Sequence, residues 1–402
     1  MDPFEEKTEG QGLKVLVPEG LQKSIQVDLS AIEHNAKEIL SHLPQECRLL
    51  AVVKADAYGL GAIAVSRALE PHVAMFAVTT LEEAIELRQA GIEKDILVFV
   101  PITAGQAGLF EKYSLTATVD SAASLAALAD NLIRLPFHLK VNTGMNRLGV
   151  NIEDVPELLS IAAKQNSVEI KGIYSHLFHA ADLQSSKIQI QAFQKLLATL
   201  KGMGIAYGLA HLANSTAILR LPESYFDLVR AGTILYGQSA VDLPQKWQLQ
   251  DPFTCVCRIV SVRTVEKGQA IGYGADSVAK KRMELGVIPI GYADGFVCEP
   301  HARPLTFAKV MNQAAKDTAR LMSHQGMPVI RYNDRVLPLV GRVSMQLASI
   351  DISGTGLRLG DEVTVMIRRT AANPNIARIY LREGCPVAVR QRGQLLSIQN
   401  QE

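Results

Sequence analysis

The chain carries two textures of apolar and polar residues. From about Ile25 to Gly232, short apolar runs alternate with stretches whose apolar positions recur every three to four residues, the pattern of strands alternating with amphipathic helices. The runs Ile25–Leu29, Arg48–Ala55, Ala74–Val78, Asp95–Val100, Leu115–Asp120, Phe137–Asn142, Val168–His176, Leu209–Asn214 and Phe226–Gly232 read as strands. Between the first two, Ile32, Ala36, Ile39, Leu40 and Leu43 share a helical face behind Ser30, with Glu33 completing a capping box. Thr79 and Thr80, followed by Glu82 and Glu83, open a helix that Gly91 follows. Further helices are expected from about Ala62, across Asp120–Leu132, from Pro156 in a first turn, over Lys187–Leu200 and over Ser215–Arg220. Strand–helix alternation predicts a parallel sheet covered by helices, and about eight or nine strands in roughly 230 residues fit a (β/α)8 TIM-type barrel. An open doubly wound sheet is the alternative, but no G-x-G-x-x-G follows the first strand.

From about Phe253 the helical period nearly disappears. TCVCRIVSVRTV, ELGVIPIGY, VLPLVGRVSM, LASIDI and DEVTVMI are rich in Val and Ile and separated by turns, which predicts a mostly β second domain. One excursion, Leu305–Met322, places Phe307, Val310, Met311 and Ala314 on one helical side. The expected division is an N-terminal arm over 1–22, a barrel over 23–252 and a C-terminal β domain over 253–402.

Composition narrows the function. The 402 residues are 48% hydrophobic and 20% charged, with 41 basic and 40 acidic side chains, so nothing favours a nucleic-acid or membrane partner. The acidic, polar start MDPFEEKTEGQG lacks the order of a signal peptide, and no run is apolar enough for a bilayer span. Five scattered cysteines without a CxxC pair fit free thiols in the cytoplasm, and Cys255 and Cys257 read as strand residues rather than metal ligands.

In a barrel of this type, chemistry collects at the C-terminal strand ends. In AVVKADAYGLGA, Ala51–Ala62, an apolar strand runs into Lys54 and then a tight loop containing Tyr58. Taken alone, Lys54 is a Schiff-base amine or a lysine snorkelling from a strand end. Other ends deliver Lys140, Asn142 and Arg147, then His176, then His211, Asn214 and Ser215, and last Arg230, Gly232 and Thr233. ANST and RAGT suit a phosphate, although Ser215 could be a simple helix cap. A Schiff-base lysine, a phosphate cradle and an arginine between them fit pyridoxal phosphate.

In this order the motifs AVVKADAYGLG, KVNTGMNRLG, YSH, HLANS, VRAGTILYG, IGYGAD, PIGYADGF, VGRVSMQ and GDEV resemble the alanine racemase family, from about Gln26 to Tyr380. The resemblance implies a homodimeric pyridoxal-phosphate enzyme with shared active sites, interconverting L- and D-alanine for peptidoglycan. Lys54 would carry the cofactor and act as one base, and Tyr273, from a second subunit, as the other. Tyr58, Asn214, Ser215, Gly232 and Thr233 would surround the phosphate, Arg230 would face the pyridine nitrogen, and Arg147 and His176 would flank the ring. Arg147, Tyr292 and Met345 would bound the substrate pocket, and Lys140 matches a position carbamylated in many members. Taken without the resemblance, Tyr273 and Tyr292 read as packing tyrosines, Met345 as core, His179 and His211 as structural and Cys298 as a buried thiol.

The sequence departs from the family at Asp56 (usually Asn), Leu60 (often His), Asn142 (commonly Asp), Gln346 (often Asp) and Pro374 (Tyr in some members), and in a longer segment from Val297 to Met327. A racemase of broader amino-acid specificity, a decarboxylase of the same fold and a non-catalytic pyridoxal-phosphate-binding protein are the rival readings.

Overall fold

The computed structural model describes residues 20–129, 134–298 and 329–397. The chain divides into two compact units, one of Leu29–Pro252 and one in which the segment ending at Asp28 joins the chain from Phe253 onward.

The first unit is a closed parallel barrel. Its strands are Arg48–Val52, Met75–Val78, Asp95–Pro101, Thr116–Val119, Leu135–Asn142, Val168–Tyr174, Leu209–His211 and Leu228–Ala231, each parallel to the next. Leu228–Ala231 pairs with Arg48–Val52 and shuts the ring. Such a sheet is covered on both faces, which is why Met75–Val78, Thr116–Val119 and Leu228–Ala231 are buried at every position. Leu50, Val52, Met75, Ala77, Leu97 and Leu228 form one apolar cluster, and the half-buried Tyr58 packs against it.

Local signals set the helix starts. Thr80 and Glu83 form both bonds of a capping box at Leu81–Gln89. Asp182 accepts from the Gln184 and Ser185 amides, so the helix expected over Lys187–Leu200 runs from Leu183 to Gly202. The first helix begins at Leu29, which puts Ser30 inside its first turn rather than at its cap.

One strand belongs elsewhere than its rhythm suggested. Lys23–Asp28 lies between Phe253–Arg258, antiparallel, and Ala377–Arg382, parallel, in the eight-stranded sheet of the second unit. The barrel unit therefore starts at Leu29, not at residue 23. A strand followed at once by a helix resembles the start of a βαβ unit. Its hydrogen-bond partners, more than 200 residues away, leave no trace in the local period.

The second unit is mostly antiparallel. Besides the eight-stranded sheet it holds a four-stranded sheet of Ser261–Val265, Met283–Ile288, Ala348–Asp351 and Leu339–Val340, and a small ribbon of Ala270–Ile271 with Ser277–Val278. The helix expected over Leu305–Met322 lies outside the described residues, as does most of the long segment 297–327. Among the described residues, no helix is long and apolar enough to cross a membrane, and no group of His, Cys, Asp or Glu could hold a metal ion.

Candidate active site

The chain beyond the strand Arg48–Val52 is not an ordinary tight loop. Ala55, Asp56, Ala57 and Tyr58 all adopt left-handed backbone angles, with φ of 50, 57, 50 and 56°. None is glycine, and each such residue costs about 1–2 kcal/mol. Hydrogen bonds hold the run at both ends. The Ala57 amide donates to Val53 O and the Gly61 amide to Asp56 O, both at 2.9 Å. The Asp56 carboxylate accepts from the Ala62 amide at 2.9 Å, and Glu83 Oε1 accepts from the Ala55 amide at 2.6 Å. This turn fixes Lys54 at its start and Tyr58 at its end. The Tyr58 ring lies 5.0 Å from that of Tyr236, whose hydroxyl donates to Val52 O at 2.9 Å. Burial first, and then the Arg147 charge, push the Lys54 amine below its usual pKa, while Glu83 opposes them.

The two glycine- and hydroxyl-rich motifs meet. Asn214, not Ser215, caps the helix Ser215–Arg220, with Oδ1 accepting from the Ala217 amide at 3.1 Å. Ser215 Oγ instead accepts from the Gly232 amide at 2.9 Å. A Cβ on Gly232 would stand 2.5 Å from Tyr58 Oη, so glycine there leaves the tyrosine hydroxyl room beside the serine and the backbone. Thr233 follows as the first residue of a 3-10 turn to Tyr236.

Beneath them Arg230 is buried and bonded almost wholly to acceptors on neighbouring strand ends. Nη1 donates to His211 O at 3.0 Å, and Nη2 to Ser175 O at 2.7 Å and Leu212 O at 3.0 Å. It also meets His211 Nδ1 at 3.0 Å and His176 Nδ1 at 3.2 Å. A guanidinium only donates, so both Nδ1 atoms accept, and the proton of His211 sits on Nε2. That nitrogen then donates to His138 Nδ1 at 2.8 Å. His211 is thus a working member of the Arg230 support. Gly172 makes room for it all, since a Cβ there would lie 2.6 Å from the His138 ring.

Burial and the Arg230 charge hold His138, His176 and His211 below their ordinary 6.5, His138 at about 3. The unfolded chain binds protons as pH falls through 6.5 and the folded barrel does not, so stability is present above that pH and is lost below it. The denaturant midpoint should fall between about pH 7.5 and about pH 5, and an unchanged midpoint would contradict neutral histidines.

Lys140 is also buried, with its amine 4.4 Å above the centre of the Tyr174 ring. Desolvation, then Arg230 and Arg147, lower its pKa well below the usual lysine value. Tyr174 stacks on His211 at 4.8 Å and shares a 3.0 Å hydrogen bond with Thr118. Asn142 organises the loop that leads to Arg147, with Oδ1 accepting from the Gly144 and Asn146 amides. Gln189 is buried in a distant helix and donates to His176 O at 3.1 Å and Thr143 Oγ1 at 3.0 Å. Sequence reading missed Glu83, His138, Tyr174, Ser175 and Gln189. The sequence had marked Glu83 through the helix start at Thr79–Glu83, and Tyr174 and Ser175 as part of the YSH motif, in each case without a role at the site.

The remaining candidates lie in the second unit. Tyr273, Tyr292 and Met345 line one cavity of about 1250 Å³ there, together with Arg342 and Gln346. They are 72%, 52% and 57% exposed, so in the single chain they are not packing residues. The Tyr292 and Ala293 amides donate to Ser344 O and Met345 O, tying the two loops together. Asp294 is buried below them, with Oδ2 accepting from Lys23 Nζ at 2.8 Å and the Gly291 amide at 3.1 Å. Cys298 is half-buried and its thiol faces Tyr292 O.

Comparison with known proteins agrees with both units. The family profile described as "Alanine racemase, N-terminal domain" matches residues 27–240, and "Alanine racemase, C-terminal domain" matches 253–381. An alanine racemase of Desulforamulus reducens is 35% identical over 353 residues, 85% of this chain and 88% of that protein. An amino-acid racemase of Enterococcus faecalis is 33% identical over 370 residues, 89% of this chain and 48% of that longer protein. The crystal structure of alanine racemase from Bacillus anthracis with bound L-Ala-P superposes with a TM-score of 0.78 at 26% identity, covering 93% of this chain and 99% of that one. The biosynthetic alanine racemase of Pseudomonas aeruginosa gives 0.72 at 28% identity, over 90% and 99%. With both profiles in order along one chain, over a closed barrel and a β unit of the matching kind, the protein belongs to the alanine racemase family.

Proposed function

We propose that this chain is a pyridoxal-phosphate-dependent racemase that interconverts L- and D-alanine, works in the cytoplasm as a homodimer with shared sites, and supplies D-alanine for peptidoglycan. The observation that carries the reading is the lowered-pKa amine of Lys54, held by a strained turn beside Tyr58, Ser215 and Gly232. The donor set fits the cofactor. Hydroxyls of Tyr58 and Ser215 with the backbone at Gly232 and Thr233 suit a phosphate, and Asn214 fixes the start of that segment. Lys54, Arg147 and Arg230 make the surroundings cationic.

When bound, pyridoxal phosphate supplies the electron sink that acidifies the substrate Cα–H. Lys54 would hold it covalently, and its amine would move the Cα proton on one face. One base cannot reach both faces, so Tyr273 of a second copy moves the proton on the other. Arg230, which gives up almost no proton, would face the pyridine nitrogen and leave it unprotonated, keeping the sink weak and disfavouring side reactions. His176 would lie beside the cofactor, Arg147 would orient the substrate end, and Tyr292 and Met345 would narrow the pocket. The buried, low-pKa amine of Lys140 is suited to react with carbon dioxide, and the carbamate would pair with Arg147. Labelled bicarbonate should then give a carbamate carbon-13 signal that Lys140→Ala lacks, and its absence from the unaltered chain would refute the modification.

A racemisation assay with the full chain and pyridoxal phosphate, across small amino acids, tests the function. Alanine should be turned over far faster than the others. Comparable rates with serine or larger residues would favour the broader racemase, the reading suggested by the Enterococcus faecalis relative and by Gln346 in the cavity wall. Cofactor attachment without any turnover would mean a non-catalytic binding protein.

A further inference from the structure

Glu83 lies outside every motif that pointed to the site. It is the third residue of the helix Leu81–Gln89, and its carboxylate serves two segments. Oε2 accepts from the Thr79 amide at 2.8 Å and the Thr80 amide at 3.1 Å, while the Glu83 amide donates to Thr80 Oγ1 at 3.4 Å. Those bonds complete the capping box. Oε1 turns away from the helix and accepts from the Ala55 amide at 2.6 Å, across 28 residues of sequence. Ala55 is the first of the four left-handed residues, so no carbonyl within the turn is placed to take its N–H, as at the start of any helix.

We propose that Glu83 is a positioning residue for Lys54 and Tyr58, its Oε1 fixing the strained left-handed turn that carries both toward the cofactor. The inference rests on the function proposed above. A capping box needs only one carboxylate oxygen, and the other is committed to the turn. Left-handed non-glycine residues persist only where their surroundings over-determine them, and among the described residues the tether on the Ala55 amide is this carboxylate oxygen. Glu83 is also the acidic group acting on Lys54, against burial and the Arg147 charge, and His176 stands close enough to feel the same amine.

The full chain with Glu83→Gln, Glu83→Ala and Thr80→Ala separates the tether from the cap. An amide oxygen can serve Ala55 or the Thr79–Thr80 amides but not both, and Thr80→Ala removes a capping bond without touching Ala55. Pyridoxal phosphate is titrated into each, following the covalent band across pH. Affinity should fall about tenfold in Glu83→Gln and further in Glu83→Ala, as loss of a charge-assisted hydrogen bond requires. Removing the negative charge should also move the acid limb of covalent attachment to lower pH, with kcat reduced more than KM is raised. Thr80→Ala should lower the melting temperature and leave affinity and acid limb unchanged. Glu83 variants with native affinity and acid limb, or a Thr80→Ala variant that reproduces theirs, would overturn the proposal.

Hydrogen exchange of the peptide spanning residues 50–62 reads the tether without cofactor. It should accelerate in both Glu83 variants and not in Thr80→Ala, and unchanged exchange in the Glu83 variants overturns the tether. A chain with accelerated exchange but no borohydride-trapped adduct at Lys54 would retain the Glu83 contact while refuting the cofactor reading.

Discussion

Replacing Lys54 by alanine should abolish the covalent, borohydride-trappable pyridoxal-phosphate band and reduce racemisation by about 10⁴-fold or more, since both a nucleophile and a base are lost. The barrel supplies the reason in three layers. An apolar strand ends at Val52, so Lys54 enters a half-buried position where an ammonium is poorly solvated. Arg147 makes the charged form less favourable still. The left-handed turn from Ala55 to Tyr58 then prevents the side chain from relaxing outward with its backbone. Because the site works against the ammonium, alanine there should leave the melting temperature unchanged or raised, which separates lost chemistry from lost folding. Lys54→Arg is the sharper control. It restores a long cationic side chain but never yields a neutral nitrogen at working pH, so it should be as inactive as alanine. A covalent band surviving in Lys54→Ala, or activity in Lys54→Arg, would remove Lys54 from the mechanism.

Much of this was legible along the chain. Strand–helix alternation gives the barrel, and the barrel rule collects Lys54, Ser215 and Arg230 at one end although they are far apart in sequence. The backbone at that end was not legible. A run of Ala, Asp, Ala and Tyr carries no glycine signal, so a loop was expected where four left-handed residues stand. Ser215 and Asn214 are both good caps, and only packing decides that Asn214 caps while Ser215 turns to Gly232. Glu83, His138 and Gln189 act through contacts distant in sequence, which no period or spacing encodes. The same limit hid the placement of Lys23–Asp28, whose alternation of buried Ile25 and Val27 suits either sheet. His211 read as structural because a buried histidine usually is. Its bonds to Arg230 and His138 make it the joint between the arginine and the barrel interior.

Tyr273→Phe should cut racemisation by about 10²- to 10⁴-fold, the usual contribution of a positioned acid–base group, while leaving cofactor attachment intact. The loss should be unequal between enantiomers. Solvent deuterium exchange at Cα should nearly vanish from L-alanine, the side the tyrosine serves, and persist from D-alanine, where Lys54 still reaches the proton. Equal and undiminished exchange from both would refute the two-base assignment. Tyr273 is 72% exposed in the single chain, on a short turn whose neighbours Gly272 and Gly274 both have positive φ. A phenol serves as a base where nearby cations favour its phenolate, so its chemistry requires another surface that brings such groups to it. A second copy of the chain would meet that requirement, and mixing inactive variants tests it. Lys54→Ala keeps Tyr273, and Tyr273→Phe keeps Lys54. If sites are shared across a two-fold dimer, each mixed dimer regains one intact site and one doubly altered site. Random exchange of subunits should then restore about a quarter of full activity from two inactive preparations. If each chain completed its own site, the mixture would remain as inactive as its components, and the shared-site reading would be lost even with both bases correctly named.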